Sequence, residues 1–140
     1  MYISASIFNN SQQNQVKVQT DGNEKQLTIP RKASGNGSAV NGGELLFLAL
    51  GTCFCNDIYR EATKRNIEIT SVEVIVSGDF GREGEPASNI QYEVNVVSEH
   101  PEQEIADLIA YVDKVAEVHN TLRVGTSVRL KLKKDTIVQD

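Results

Sequence analysis

Residues 41–65, NGGELLFLALGTCFCNDIYREATKR, hold the longest apolar run of the chain and both of its cysteines. Asn41 is suited to an N-cap, and Glu44 falls in the first helical turn, where unpaired N–H groups and the positive dipole end favour a carboxylate. Arg60, Lys64 and Arg65 fall toward the other end, as the dipole prefers. Residues 45–50 are all apolar, which leaves no polar stripe and predicts a core helix surrounded by protein. Thr52, Asn56, Asp57 and Arg60 interrupt the run too early for a membrane span.

The chain around this helix has 140 residues, the size of one domain covering residues 1–140, and it can bury roughly two thirds of its unfolded surface without disulfides or metals. A net charge of −5 argues against a nucleic-acid partner, which needs clustered Lys and Arg. The opening MYISASIFNN shows no basic region followed by an apolar one, so neither a signal peptide nor a membrane anchor is expected, and the reading is cytoplasmic. Two cysteines spaced C-x-C fit a reducing compartment better than a disulfide scaffold.

Residues 2–8 read as a strand closed by the polar cluster 9–14. Residues 15–20 and 26–29 alternate with period two around Asp21-Gly22, a hairpin signal, so an antiparallel meander is expected. Residues 31–43, RKASGNGSAVNGG, are rich in glycine and predict a long flexible loop. Beyond the helix, Asn66 suits the C′ position, residues 67–80 and 90–96 alternate as a strand pair around GREGEPAS, and Pro101 opens a second helix with Ile105, Leu108, Ile109, Val112, Val115 and Ala116 at helical spacing. A short turn over residues 119–123 ends at Gly125, and residues 127–133 alternate as a last strand. This order has no β-α-β repetition and predicts an α+β fold with antiparallel sheets. One chain offers too little to cover a helix apolar on nearly all sides, so the helix is expected at a two-fold homodimer interface.

The helix GGELLFLALGTCFCNDIYREA, the long strand pair ending in GDF and the later VAEVHNTLRVGTSVRL together resemble the OsmC/Ohr family of osmotically inducible and organic-hydroperoxide-resistance proteins. The resemblance runs from the first strand to Leu132, and its most specific part is E-L-L nine residues before a mid-helix cysteine. It implies an OsmC-like intertwined homodimer with two sites at the interface and thiol-dependent reduction of organic hydroperoxides, Cys53 matching the family's peroxidatic cysteine. The chain departs from the pattern in three places. The family's second, resolving cysteine falls on Ala116 of Ala116-Glu117-Val118-His119; its activating arginine, from the N-terminal strands, has no counterpart before Arg31; and its glutamate falls on Gly43, with Glu44 the variant of a less characterised branch.

Chemistry makes the same demand of Cys53. A thiolate attacks the O–O bond and becomes a sulfenic acid that a second thiol resolves, and a mid-helix cysteine needs a cation or donor from other elements. Arg31 or Arg123 is the candidate cation, and His119 a candidate proton donor against its reading as a capping or hydrogen-bonded structural histidine. Asp57 is read as orienting Arg60 at i+3 or pairing across the interface. Cys55 lies roughly 200° around the helix from Cys53, too far for a disulfide without unwinding, and reads as a small buried hydrophobe; pairing of either cysteine with its symmetry mate stays open. The expected cycle therefore uses one cysteine and an external thiol reductant.

Cys53, Cys55, His100 and His119 offer soft ligands, but C-x-C on a helix splays its sulfurs and no zinc spacing supports them, so neither metal nor cofactor is expected. The alternative function is a non-catalytic dimer binding a small apolar ligand or oxidised thiol. Ionisation of Cys53 separates the two: a peroxidase needs a depressed pKa, whereas a binding module can hold a neutral thiol near or above ~8.5.

Overall fold

The computed structural model describes residues 1–133. In chain order the described elements are β1 (Ile3–Asn9), β2 (Asn14–Thr20), β3 (Asn23–Leu27), α1 (Gly42–Lys64), β4 (Ser71–Asp79), β5 (Ser88–Val97), α2 (Glu102–Val115) and α3 (Glu117–Arg123). The combination of helices with antiparallel sheets is the α+β class expected. Two compact units are formed, one from residues 1–48 and 80–87, the other from residues 49–79 and 88 onward.

The first unit is built on the meander β1-β2-β3. Asp21 and Gly22 both take positive φ, 48° and 86°, which is what a two-residue hairpin turn demands, and Thr20 pairs Asn23 directly across it. The third strand thus starts at the turn, earlier than its apolar alternation suggests, because the ladder continues through Asn23, Glu24 and Lys25. Ile7, Val16 and Leu27 stand in one cross-strand row, with Ile3 and Ala5 on the same face, and Ile3, Ile7 and Leu27 remain exposed.

The glycine-rich segment is tied down rather than a flexible loop. Lys32 N–H donates to Gly37 O, Ala39 N–H to Pro30 O, Arg31 to Gly35 O, and the Asn9 side chain accepts the Gly37 N–H at 3.0 Å. Glycines do not by themselves confer mobility; here Gly35 and Gly37 supply the positive φ that closes the excursion. The first turn of α1 carries a reciprocal capping box, Asn41 Oδ1 accepting Glu44 N–H at 2.8 Å and Glu44 Oε1 accepting Asn41 N–H at 2.9 Å. Phe80 lies over Gly43, where a Cβ would stand 2.9 Å from its ring.

The second unit holds the core. In the β4–β5 hairpin Val72, Val74 and Val76 pair with Val96, Val94 and Tyr92, all on one face. Against that face pack Phe54, Ile58 and Ala62 of α1 with Leu108, Val112 and Ala116. Phe54, Ile58, Leu108 and Val112 are fully buried, each contributing roughly 1.5–3 kcal/mol of hydrophobic free energy. Asn66 at φ 54° ends α1: Ile67 N–H reaches Ala62 O and Asn66 N–H reaches Thr63 O, the Schellman pattern.

Two expectations change here. Within the single chain α1 is buried along one stripe, Leu50, Phe54, Asp57, Ile58, Glu61 and Ala62, while Leu48 is 63% exposed; one chain has too few elements to cover the rest. Residues 127–133 form no strand, because alternation specifies which side chains share a face and not a hydrogen-bonding partner, and they meet none among the described residues. No helix among the described residues is long and apolar enough to cross a membrane.

Candidate functional site

Helix α1 places Leu50, Cys53, Phe54 and Asp57 on one stripe by their spacing of three and four. The Cys53 thiol donates to Asp57 Oδ2 at 3.6 Å, one turn further along. Asp57 is 5% exposed and its other oxygen receives the Arg60 guanidinium at 3.0 Å, the i, i+3 pairing that its spacing suggests. Arg60 also reaches Glu61 at 2.9 Å and Glu117, from α3, at 3.8 Å. Cys53 Sγ and carboxylate oxygens of Asp57 and Glu117 all lie within 4.8 Å of one another, the closest approach to a metal-ligand set among the described residues, in place of the Cys53, Cys55, His100 and His119 quartet considered from sequence. The guanidinium between the two carboxylates already supplies a positive charge there.

The break between α2 and α3 completes the surroundings. Ala116 has extended ψ of 107°, and the chain restarts as α3 with the Val118 backbone N–H facing the Cys53 sulfur. Burial pushes the thiol pKa up, the Val118 N–H opposes it, and the Asp57 carboxylate adds to the rise. Asp57 is likewise raised, by burial first, with Arg60 opposing and Glu117 reinforcing. The pair is therefore a protonated thiol beside a carboxylate that is a better proton acceptor than an exposed aspartate.

Of the other residues singled out, Cys55 is half-buried and, like Cys53, a free thiol. Glu44 is engaged in the capping box, and Arg31 donates to Gly35 O at 2.8 Å in the tied-down loop. Arg123 is paired with Asp113 at 2.7 Å and also donates to Asp113 O. Tyr92 donates to the same Asp113 carboxylate, and burial together with Asp113 raises the phenol pKa strongly. His119 is 4% exposed, and neither ring nitrogen has a hydrogen-bond partner among the described residues. Its ring stands edge-on to Tyr92 at 4.7 Å and near Phe54 at 5.8 Å, and burial and then Arg123 lower its pKa. An unpaired buried nitrogen costs roughly 1–3 kcal/mol. The resemblance already set residues 116–119 against Cys53, but Glu117 and the Val118 N–H were not singled out, because only the detailed approach of α3 to α1 makes them its neighbours and no spacing encodes that.

The fold has many solved counterparts. An OsmC-like protein from Mycoplasma pneumoniae superposes with TM-score 0.60 at 23% identity, over 87% of this chain and 86% of that one. A hypothetical protein from Aquifex aeolicus VF5 gives 0.64 at 18% identity, with 91% of each chain covered. An organic hydroperoxide resistance protein from Elizabethkingia anophelis gives 0.59 at 19% identity, over 88% and 89%. At such identities the likeness is one of fold. No curated protein matches the sequence. Residues 35–131, well over half of the sequence, match the family described as OsmC-like protein, and the chain belongs to that family.

Proposed function

We propose that this single OsmC-like domain is a cytoplasmic, homodimeric thiol peroxidase that reduces organic hydroperoxides through Cys53, with Asp57 as proton carrier. The observation that carries the reading is the Cys53 thiol hydrogen bond to a buried, raised-pKa carboxylate, with the Val118 N–H aimed at the same sulfur. It offers an activation route that needs neither an N-terminal arginine nor a second cysteine. The Sγ–H proton passes to Asp57 as sulfur attacks the terminal oxygen of ROOH; the O–O bond breaks, Cys53 becomes a sulfenic acid, and the departing alkoxide takes the proton from Asp57 to leave as ROH. An external thiol then condenses with the sulfenic acid, releasing water, and a second thiol reduces the mixed disulfide. Some structural counterparts are hydroperoxide resistance proteins, which supports an organic hydroperoxide as the substrate.

Homodimerisation is supported by the exposed Leu48 and by residues 128, 130 and 132, whose large apolar side chains stand in solvent. The raised pKa of Cys53 favours a second reading, a dimer that holds a neutral thiol beside a bound apolar molecule or oxidised thiol without turnover. Brief exposure to cumene hydroperoxide with dimedone present, followed by mass spectrometry of wild type, Cys53→Ser and Cys55→Ser, separates them. Near-stoichiometric trapping on Cys53 that survives Cys55→Ser supports the peroxidase. Modification only at large excess removes it in favour of the binding reading.

A further inference from the structure

Where α2 gives way to α3, the helical hydrogen-bond ladder loses two rungs. In an unbroken helix Glu117 N–H would donate to Asp113 O, and Val118 N–H to Lys114 O. The extended ψ of 107° at Ala116 turns the chain out of that register, and two side chains of α3 take the vacated carbonyls: Arg123 Nη1 donates to Asp113 O at 2.9 Å and Asn120 Nδ2 to Lys114 O at 2.9 Å. We infer that Asn120 is a positioning residue for Cys53: by satisfying Lys114 O it removes the pull that would draw Val118 N–H back into a continuous helix, and so leaves that N–H to the sulfur. This rests on the reading of Cys53 as the reacting thiol and adds to it what keeps its hydrogen-bond donor available.

The partners fix which way the Asn120 amide faces. Lys114 O only accepts and the Arg123 guanidinium only donates, so Asn120 turns its NH2 to the first and its oxygen to the second, which it receives at 3.1 Å. Arg123 is itself held in place. Its Nη2 donates to the Asp113 carboxylate at 2.7 Å, and Tyr92 of β5 donates to the same carboxylate, so the bracket around the break is tied to the sheet. Asn120 N–H also donates to Ala116 O at 2.9 Å, which restarts the helix directly after the break. The residues between these anchors are the ones that meet α1. A Glu117 carboxylate oxygen lies within 4.8 Å of Cys53 Sγ, and the Val118 N–H works against the rise in thiol pKa that burial causes. A thiolate accepts a far stronger hydrogen bond than a thiol, so a donor kept free at this point favours ionisation.

The test uses the full-length protein in a Cys55→Ser background, where Cys53 alone reports. Two readouts follow its titration: the Val118 amide proton by 1H-15N NMR, and the rate of iodoacetamide alkylation. In the parent protein the Val118 proton should move downfield as Cys53 ionises, and stay flat once Cys53→Ser is added. In Asn120→Ala that response should shrink, and the pH midpoint of alkylation should rise by about one unit, which slows alkylation about tenfold at a fixed pH below the midpoint. Asn120→Asp keeps the size and the acceptor for Arg123 while losing the donor to Lys114 O, and the same two changes are expected of it, so the outcome does not depend on one variant folding. Loss of a merely structural contact would lower the denaturant midpoint and leave the alkylation midpoint in place. A Val118 proton that ignores the Cys53 titration, or an alkylation midpoint unmoved or lowered in the variants, overturns the role of Asn120. Peroxide consumption is scored separately: consumption with an unmoved midpoint removes Asn120 and leaves the peroxidase, and a raised midpoint without consumption does the reverse.

Discussion

Cys53 and Asp57 answer to opposite demands on one proton. Burial and the Asp57 charge hold the thiol protonated; on the peroxidase reading proposed above, Asp57 returns as a base what the thiol loses in thiolate population. Asp57→Asn removes both effects, and two readouts then move apart. Iodoacetamide alkylation of Cys53 at fixed pH should speed up, about tenfold for each unit by which the thiol pKa falls. Peroxide consumption should slow by about 10²-fold, as for loss of a general base. Parallel slowing of both reactions would mean that Asp57 merely keeps the helix folded. The same shift has a stability consequence. Because the folded thiol keeps its proton above the unfolded value of ~8.5, the unfolded state gains by ionising first, and stability declines as pH rises from there through the folded pKa. Denaturant midpoints at alkaline pH should fall less steeply in Cys53→Ser than in wild type.

Helix α1 depends on its two ends as much as on its buried stripe. Asn41→Ala breaks one arm of the capping box and should cost about 1 kcal/mol in chemical denaturation. At the other end Glu61, 4% exposed, receives Lys64, Arg60 and Arg65, which hold its pKa at about 2. A carboxylate depressed in the folded state stabilises above its unfolded value of ~4.3 and ceases to do so as pH falls toward 2. Acid unfolding monitored by circular dichroism should therefore lose part of its pH dependence in Glu61→Gln, and an unchanged acid limb would show that the three cations merely stand near the helix. These ends were legible because caps and like-face charges are local: Asn41, Glu44 and Asn66 announce themselves by spacing, as do the alternating Val72, Val74 and Val76. Partners contributed from far along the chain were not. Asn9 ties down a glycine loop 28 residues away, Glu117 enters the cluster from α3, and His119 has no hydrogen-bond partner among the described residues, none of which a periodicity records. Cys53 was singled out by the helix around it and by the resemblance, whereas Asp57, which accepts its thiol hydrogen bond, was read from sequence as a partner for Arg60 or for the interface.

At the scale of the molecule, apolar surface is the open term. Large apolar patches left in water by a single chain mark interaction surfaces. In the second unit Val128 and Leu130 are 96% and 87% exposed, in a segment whose alternation has the form of a strand but whose backbone has no ladder among the described residues. An extended segment with unpaired N–H and C=O groups and an apolar face is a template for pairing with another chain. A second copy of this protein is the partner that its own composition guarantees to be present, and a two-fold contact buries the same patch on both chains. The expected mass in light scattering is therefore twice the 15.4 kDa of the chain. Val128→Glu with Leu130→Glu places two charges on that face and should shift the protein to the monomer, while the core of Phe54, Ile58, Leu108 and Val112 keeps its far-ultraviolet circular dichroism near wild type. A wild type already monomeric, or a double variant still dimeric, would remove this segment from the interface. If the monomeric variant also loses dimedone trapping at Cys53, the thiol depends on the second copy for activation; if trapping persists, Asp57 and the Val118 N–H suffice.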